Sequence, residues 1–181
     1  MLYVEWVPKV LETVKDCEDN RIRLVGFPVP ALREPLGIDL ADVDAIEDAV
    51  YDLETLGLAR RRPNSFFTLT PAGRLAATQS IEEVCGDALR QTCDGLTGEE
   101  RRFVQALMDL SQEEYDLFAR LRYVHVVQIF ERIGLEGPRE WEESFLLPLV
   151  EKKCIDYQEF ETDRDVRLLF TGVTCVLIPS R

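Results

Sequence analysis

The fold is decided by residues 53–74, which read LETLGLARRRPNSFFTLTPAGR. The first residues complete an amphipathic helix that we expect to end at Gly57, because glycine readily adopts the left-handed conformation that follows a last helical turn. Residues 58–62 have the length of a strand, residues 63–65 are turn formers, and Phe66–Leu69 returns as a second strand. The stretch therefore predicts a helix followed by a β-hairpin.

Further helices are predicted on both sides of this stretch. Thr70 can cap a helix after the hairpin, and Pro71 suits its first position because an N–H there has no intrahelical partner. The helix before the hairpin is expected to have its N-cap at Asp39. Upstream, residues 4–17 predict an amphipathic helix and residues 31–36 a short one. The helix before the hairpin has one apolar face, formed by Val43, Ile46, Val50 and Leu53.

Three helices, a two-stranded hairpin and one more helix follow the order of the winged-helix fold. Residues 53–74 resemble the recognition-helix end and wing of winged-helix transcription regulators. In that family Leu-x-x-Leu-Gly-Leu precedes the wing, and aromatic-x-Leu-Thr-x-x-Gly-Arg follows it. The resemblance covers about residues 40–76 and implies a winged-helix domain over residues 1–79. It also implies DNA binding through the third helix and the wing.

The C-terminal half predicts a weaker copy of this order. Capping boxes begin at Ser80 and at Thr97, so we expect a linker helix over residues 80–96 and a new helix after it. A third box begins at Ser111 and predicts that one helix ends near Leu110 and another begins. Residues 115–133 have apolar side chains on several sides, as in a buried helix or a broken pair.

The remaining residues complete that predicted copy. Residues 139–153 predict a helix bent at Pro148. A hairpin follows, with strands at Ile155–Phe160 and 166–170 and a turn at 162–165, and residues 173–178 are strand-like. We therefore expect a mainly α protein with small β-hairpins, in a tandem winged-helix-like architecture whose second, degenerate domain spans residues 97–181. The alternative is a helical extension with a terminal hairpin used for dimerisation.

Charge argues against the function that the resemblance implies. The net charge is −13, with −7 in residues 1–94 and −6 in residues 95–181. Such a surface repels phosphate backbones and anionic lipids. Residues 38–58 hold seven acids and no Lys or Arg. We expect a partner-binding acidic face on this helix, formed by Asp44, Glu47, Asp48, Tyr51 and Asp52.

The wing is the basic exception. Arg60, Arg61 and Arg62 lie on the predicted wing, and Arg74 follows in the next helix. These four are the candidate nucleic-acid-binding residues, since they could approach phosphates or enter a narrow minor groove. The alternative interpretation is that strand alternation directs some of them into salt bridges with the acidic helix beside them.

Nothing in the sequence favours catalysis. The single histidine, His125, lies in an apolar run and is interpreted as structural, because His-based triads and metal sites need partners that the chain does not supply. Phosphate-binding glycine loops and nucleophile elbows are missing from the sequence. We expect a non-enzymatic protein with no catalytic residues, no metal and no cofactor.

Cysteine usage and hydropathy predict a cytoplasmic protein that does not enter membranes. The five cysteines are odd in number and show no Cys-x-x-Cys spacing, which favours reduced thiols. The apolar stretches are far shorter than the roughly 20 residues of a membrane span, and no signal peptide is visible.

Two functions remain open from the sequence. The first is a protein–protein interaction and regulatory module whose acidic surfaces face a basic protein partner. The second is a DNA-binding transcription regulator that contacts DNA through the wing. In either case the chain could be a homodimer or a monomer. The homodimer is suggested by residues 115–133, because a helix with apolar residues on several sides suits an interface.

Overall fold

The computed structural model describes residues 6–22, 32, 36–37, 43–62, 66–118, 123–160 and 163–177. Over these ranges the chain is mainly helical, with a two-stranded and a three-stranded antiparallel sheet, which confirms the predicted fold class. The chain divides into two compact units, residues 1–87 and residues 88–181. The predicted cap at Asp39, most of the short helix at 31–36 and the turn at 63–65 lie outside the described residues.

The described elements of the first unit follow the predicted order. Thr70 caps the helix after the hairpin, as predicted, and its Oγ1 accepts a hydrogen bond from the N–H of Gly73 at 3.0 Å. The first helix packs across the second helix, the second strand and the helix after the hairpin. The elements are α1 (Trp6–Asp19), α2 (Val43–Thr55), β1 (Ala59–Arg62), β2 (Phe66–Leu69) and α3 (Pro71–Ala76). The buried faces that meet are Val7, Val10, Leu11 and Val14 of α1 and Ile46, Val50 and Leu53 of α2.

A helix that begins in the first unit ends in the second. This helix, α4 (Ile81–Asp94), corresponds to the predicted linker helix, and the division between the two units falls inside it. Ser80 Oγ accepts the N–H of Glu83 at 3.0 Å. The box at Thr97 forms in both directions, since Thr97 and Glu100 each accept the other's backbone N–H through a side-chain oxygen.

The second unit adds a third strand to its hairpin. The strand at 163–168 lies in the middle of this sheet and pairs antiparallel with the strands at 124–125 and 155–160. An aromatic cluster fills the core, with ring centroids 5.2–5.6 Å apart. Its members are Phe103, Phe130, Trp141 and Phe145. The elements are α5 (Gly98–Phe118), β3 (Val124–His125), α6 (Val126–Ile133), α7 (Arg139–Glu151), β4 (Ile155–Phe160), β5 (Asp163–Leu168) and α8 (Phe170–Leu177).

Three predictions for the second half are wrong, and one stated alternative is confirmed. α5 continues through Ser111, because this side chain is buried inside the helix rather than placed at a helix start. Of the two alternatives for residues 115–133, the broken pair is confirmed, since one helix ends at Phe118 and the next begins at Val126, and residues 124–125 form a strand that pairs with Val166 and Asp165. The hairpin turn is shorter than predicted, since β5 already begins at Asp163. The strand-like stretch at 173–178 is helical through Leu177, and within it Val173 and Cys175 lie on the buried face of α8.

The same turn leads from helix to hairpin in both units. In the first, the N–H of Leu58 donates to the carbonyl of Leu53 at 2.8 Å, and Gly57 has φ +72°. In the second, the N–H of Cys154 donates to the carbonyl of Leu149 at 2.9 Å, and Lys153 has φ +57°. Both are helix ends with a residue in the left-handed conformation. The two units thus share a local geometry that their sequences do not share.

The hairpin closes on the following helix in the same way in each unit. The carbonyl of Leu58 accepts the N–H of Thr70 at 2.9 Å, and the carbonyl of Cys154 accepts the N–H of Leu169 at 3.0 Å. Three residues after each donor stands a glycine. A Cβ atom at Gly73 would lie 1.9 Å from the oxygen of Leu58, and one at Gly172 would lie 2.4 Å from that of Cys154.

A disulfide joins α4 to α8 within the second unit. Cys93 and Cys175 are bonded with their Cα atoms 4.8 Å apart, although 82 positions separate them in sequence. The expectation of reduced thiols is therefore wrong for this pair, because folding brings together two cysteines that no local spacing connects. Cys17, Cys85 and Cys154 are free thiols. The cytoplasmic location loses one of its arguments and stays a prediction.

Replacing either closing glycine by alanine is expected to destabilise its unit. Because the added Cβ would meet backbone atoms that cannot rotate away, we expect Gly73→Ala and Gly172→Ala each to lower the free energy of unfolding by about 1–3 kcal/mol. Urea unfolding followed by circular dichroism measures the change. Gly98→Ala is the control, since a Cβ there has nothing within 4 Å. If all three variants are equally stable, the close packing of Gly73 and Gly172 against the carbonyls of Leu58 and Cys154 does not require glycine.

The disulfide makes a countable prediction. Alkylation of the denatured, unreduced protein should label three of the five cysteines, and prior reduction should expose all five to the reagent. Reduction should also lower the free energy of unfolding of the second unit by about 2–5 kcal/mol, because the bond closes a long loop in the unfolded chain. Intact-mass spectrometry gives the count. Five labelled cysteines without reduction would show that the bond does not form.

Candidate interaction surfaces

The predicted acidic face of α2 is only partly exposed. Tyr51 is 41% exposed and Glu47 is half-buried, but Asp48 is 8% and Asp52 only 1% exposed. The prediction that Asp48 and Asp52 face solvent is therefore wrong. α2 packs against both α1 and β1, so the sector of the helix that is covered is wider than the apolar pattern indicated. The side chain of Asp44 lies outside the described part of the chain.

Two of the candidate wing arginines are held in ion pairs. The Nε of Arg61 lies 3.2 Å from Oε2 of Glu54, which belongs to α2. The Nε of Arg74 lies 2.8 Å from Oε2 of Glu18 in α1. Arg61 thus makes the salt bridge to the acidic helix that the alternative interpretation anticipated. Arg60 is exposed on β1, and the side chain of Arg62 is not described.

The two carboxylates also bind the backbone of the hairpin. Oε1 of Glu54 accepts the N–H of Arg61 at 3.0 Å, and Oε1 of Glu18 accepts the N–H of Leu69 at 2.9 Å. Each acid therefore joins a helix to a strand and offsets a guanidinium charge at the same time. The positive charge available to a phosphate backbone is reduced at Arg61 and Arg74, which weakens the wing as a nucleic-acid surface.

A groove between α7 and β4 is a surface that the sequence analysis missed. Its volume is about 230 Å³. Leu147 is 59% and Val150 37% exposed, although Leu146 and Leu149 of the same helix are buried. Leu147 and Val150 are three residues apart, a spacing that places both on the same side of a helix. The mixed charges of α7 did not indicate that this side is an exposed apolar surface. The lining residues are Glu143, Leu146, Leu147, Val150, Tyr157 and Glu159.

Ion pairs hold α7 against the hairpin at one end of this groove. Arg139 pairs with Glu143 at 2.9 Å and also with Glu159 of β4. Glu142 and Arg164 form a pair in which both residues are buried, so this contact is shielded from solvent. The hydrogen bond from Arg139 to Glu143 raises the pKa of the guanidinium further above its ordinary value. The groove is therefore preformed, with carboxylates at its edge.

The other end of α7 is fixed to the start of α5. The Nζ of Lys152 donates to both carboxylate oxygens of Glu100 at 2.8 Å and to the carbonyl of Gly95 at 3.0 Å. Burial would raise the pKa of Glu100, but the hydrogen bonds from Lys152 and Thr97 outweigh it and lower the pKa. Nearby, burial raises the pKa of the Cys154 thiol to about 11, so this cysteine stays protonated near neutral pH.

Comparison with known proteins assigns no family. No protein-family model, no curated protein and no solved structure matches the chain. Within the described ranges, no helix is long and apolar enough to cross a membrane. Nor does any group of three His, Cys, Asp or Glu side chains in that part of the chain have a metal-binding arrangement. The winged-helix resemblance thus depends on residues 53–74 and on the order of elements.

Because Glu18 and Glu54 offset the charge of wing arginines, replacing both acids by glutamine should raise the affinity for DNA. The double variant Glu18→Gln/Glu54→Gln keeps an acceptor oxygen for each strand amide but removes the glutamate charges that lie beside Arg61 and Arg74. We expect it to bind a mixed-sequence DNA duplex more tightly than the natural protein at low salt, with a slope of log K against log salt steeper by about 1–2. Fluorescence anisotropy measures both.

The double variant Glu143→Gln/Glu159→Gln is the matched control for this experiment. Glu143 and Glu159 both pair with Arg139 in the second unit, so these substitutions remove the same number of charges away from the wing. If the control raises DNA affinity as much as Glu18→Gln/Glu54→Gln does, the effect comes from net charge, and the proposed neutralisation of the wing is wrong.

Proposed function

We propose that the protein is a non-enzymatic winged-helix protein that acts as a protein–protein interaction and regulatory module. In this proposal the α7–β4 groove binds an apolar segment of a partner protein that carries basic residues. The observation that carries it is the exposure of Leu147 and Val150 on the helix that precedes the hairpin. In winged-helix regulators, the corresponding helix enters the DNA major groove.

The order of elements supports the winged-helix part of the proposal. In the second unit, α5, α6 and α7 precede the hairpin of β4 and β5, and α8 follows it. Three helices, a hairpin and one more helix are the order of the winged-helix fold. The sequence resemblance to that family lies in the first unit, at residues 53–74. The first unit has the same helix, hairpin and helix over α2, β1, β2 and α3, with equivalent closing hydrogen bonds. The similarity of the two units supports a tandem architecture.

Charge favours a protein partner over DNA. α2 contains five acids and no basic residue, and α7 contains four acids with Arg139 as its one basic residue. Arg139 is already paired with two glutamates. A helix of this composition in the major groove would meet phosphate repulsion with little to offset it. An apolar groove with carboxylates at its edge instead suits an amphipathic helix that places lysines or arginines beside them.

The DNA-binding alternative keeps one observation in its favour. Arg60 is exposed on β1, and Arg62 belongs to the same strand. A transcription regulator contacting DNA through residues 60–62 is therefore the second candidate function. A homodimer and a cytoplasmic location also remain proposals from the sequence.

Synthetic peptides can separate the two candidates. We expect a labelled helical peptide with a leucine stripe and flanking lysines to bind, and the same leucine stripe flanked by glutamates to bind at least tenfold more weakly. Leu147→Ser should weaken binding of the lysine peptide about tenfold or more, because burial of a leucine side chain contributes about 1.5–3 kcal/mol. Fluorescence anisotropy at physiological salt gives both affinities.

Leu177→Ser is the matched control, since Leu177 is an exposed leucine on α8, away from the groove. It should leave peptide binding unchanged. The proposal is contradicted if Leu147→Ser and Leu177→Ser behave alike, or if the natural protein binds duplex DNA with micromolar affinity at the same salt concentration.

A further inference from the structure

A second cleft of the same unit is lined by arginines. It lies between α5 and α6 and has a volume of about 490 Å³, within the range of roughly 300–1,000 Å³ typical of small-molecule sites. Its lining includes Arg101, Arg102, Gln105, Asp109, Arg132 and Ile133. We propose that this cleft binds a small organic phosphate, a molecule of about nucleotide size that carries a phosphate monoester.

Backbone carbonyls hold two of these arginines in place. Arg101 donates from Nη1 to the carbonyl of Cys175 at 2.8 Å and from Nη2 to the carbonyl of Cys93 at 2.6 Å. Arg102 donates from Nη2 to the carbonyl of Ile133 at 2.6 Å. A guanidinium has five N–H donors. Neutral carbonyls thus fix the two side chains in place while leaving their charge and several donors available.

Arg101 and Arg102 differ from other arginines of this acidic chain in the groups that they contact. Arg61, Arg74, Arg139 and Arg164 all have glutamate partners in the structure. Neither Arg101 nor Arg102 makes an ion pair with any acid of the described ranges, although acids outnumber basic residues 34 to 21. Guanidinium groups that no carboxylate neutralises, lying next to a cleft, can bind an anion.

Other groups around the cleft complement a phosphate ester. Gly98, the first residue of α5, also lines the cleft and has no side chain to obstruct a ligand. Arg132 adds a third guanidinium, which pairs at present with the exposed Glu113. Asp109 opposes an anion but accepts a hydrogen bond from Gln105 at 2.9 Å. Ile133 gives the non-phosphate part of the ligand an apolar contact.

The experiment measures binding of three named probes to the full chain by isothermal titration calorimetry in low-chloride buffer. AMP and glucose 6-phosphate carry the phosphate monoester, and adenosine is the uncharged match for AMP. We expect at least one of the two phosphates to bind with a Kd in the micromolar to low millimolar range, and adenosine to bind at least tenfold more weakly. Absence of binding by both phosphates at millimolar concentration would overturn the proposal.

Variants locate the site. Arg102→Ala and Arg132→Ala should each weaken phosphate binding about tenfold or more, the loss expected for a charge-assisted hydrogen bond. Arg139→Ala removes an exposed arginine from the other groove of the unit and should leave binding unchanged. Thermal unfolding checks that each variant is folded. Equal losses in Arg139→Ala and Arg102→Ala would show general charge attraction and overturn the assignment to this cleft.

Discussion

Each unit depends on one backbone carbonyl, that of the residue where the helix has ended and the hairpin begins. In the first unit this is Leu58, and in the second it is Cys154. Each accepts the amide that starts the next helix, and a glycine three residues later allows the helix to lie against it. Helix, hairpin and following helix are thereby fixed to one another through the backbone. The side chains at these positions are free to differ between the two units.

This constraint explains why two units with similar frames offer different surfaces. In the first, the hairpin is bound to its helices by Glu18 and Glu54, which also offset Arg74 and Arg61. In the second, the charged pairs lie at the ends of α7, and the middle of the helix exposes Leu147 beside β4. Glutamates therefore offset part of the positive charge at the wing of the first unit, while the second unit has an apolar groove.

Local patterns predicted the first unit well, because its signals are short in range. Gly57 at the helix end and Thr70-Pro71 at the next helix start are properties of adjacent residues, and both predictions are confirmed. The second unit uses Lys153 where a glycine is usual, a conformation that few side chains adopt, so its equivalent turn could not be recognised. The strand at Val124 has only two residues, and its pairing with Val166 is a long-range contact.

Candidate sites were predicted less well than elements. Charge type and position along a helix predicted the acids of α2, but the burial of Asp52 depends on how α1 and β1 cover the helix. The groove beside Leu147 and the cleft beside Arg102 exist only when separate elements meet. The disulfide between Cys93 and Cys175 likewise depends on contact across the unit. Such features require tertiary structure, which periodicity and spacing do not encode.

Hydrogen–deuterium exchange of individual amides tests the shared closure most directly. The amides of Thr70 and Leu169 donate to the two central carbonyls, so they should open only when their whole unit unfolds. The account predicts that each exchanges as slowly as the slowest core amides of its own unit. It is contradicted if either amide exchanges as fast as those of exposed turns while the helices on both sides remain protected, because that hairpin would then not be held by the carbonyl.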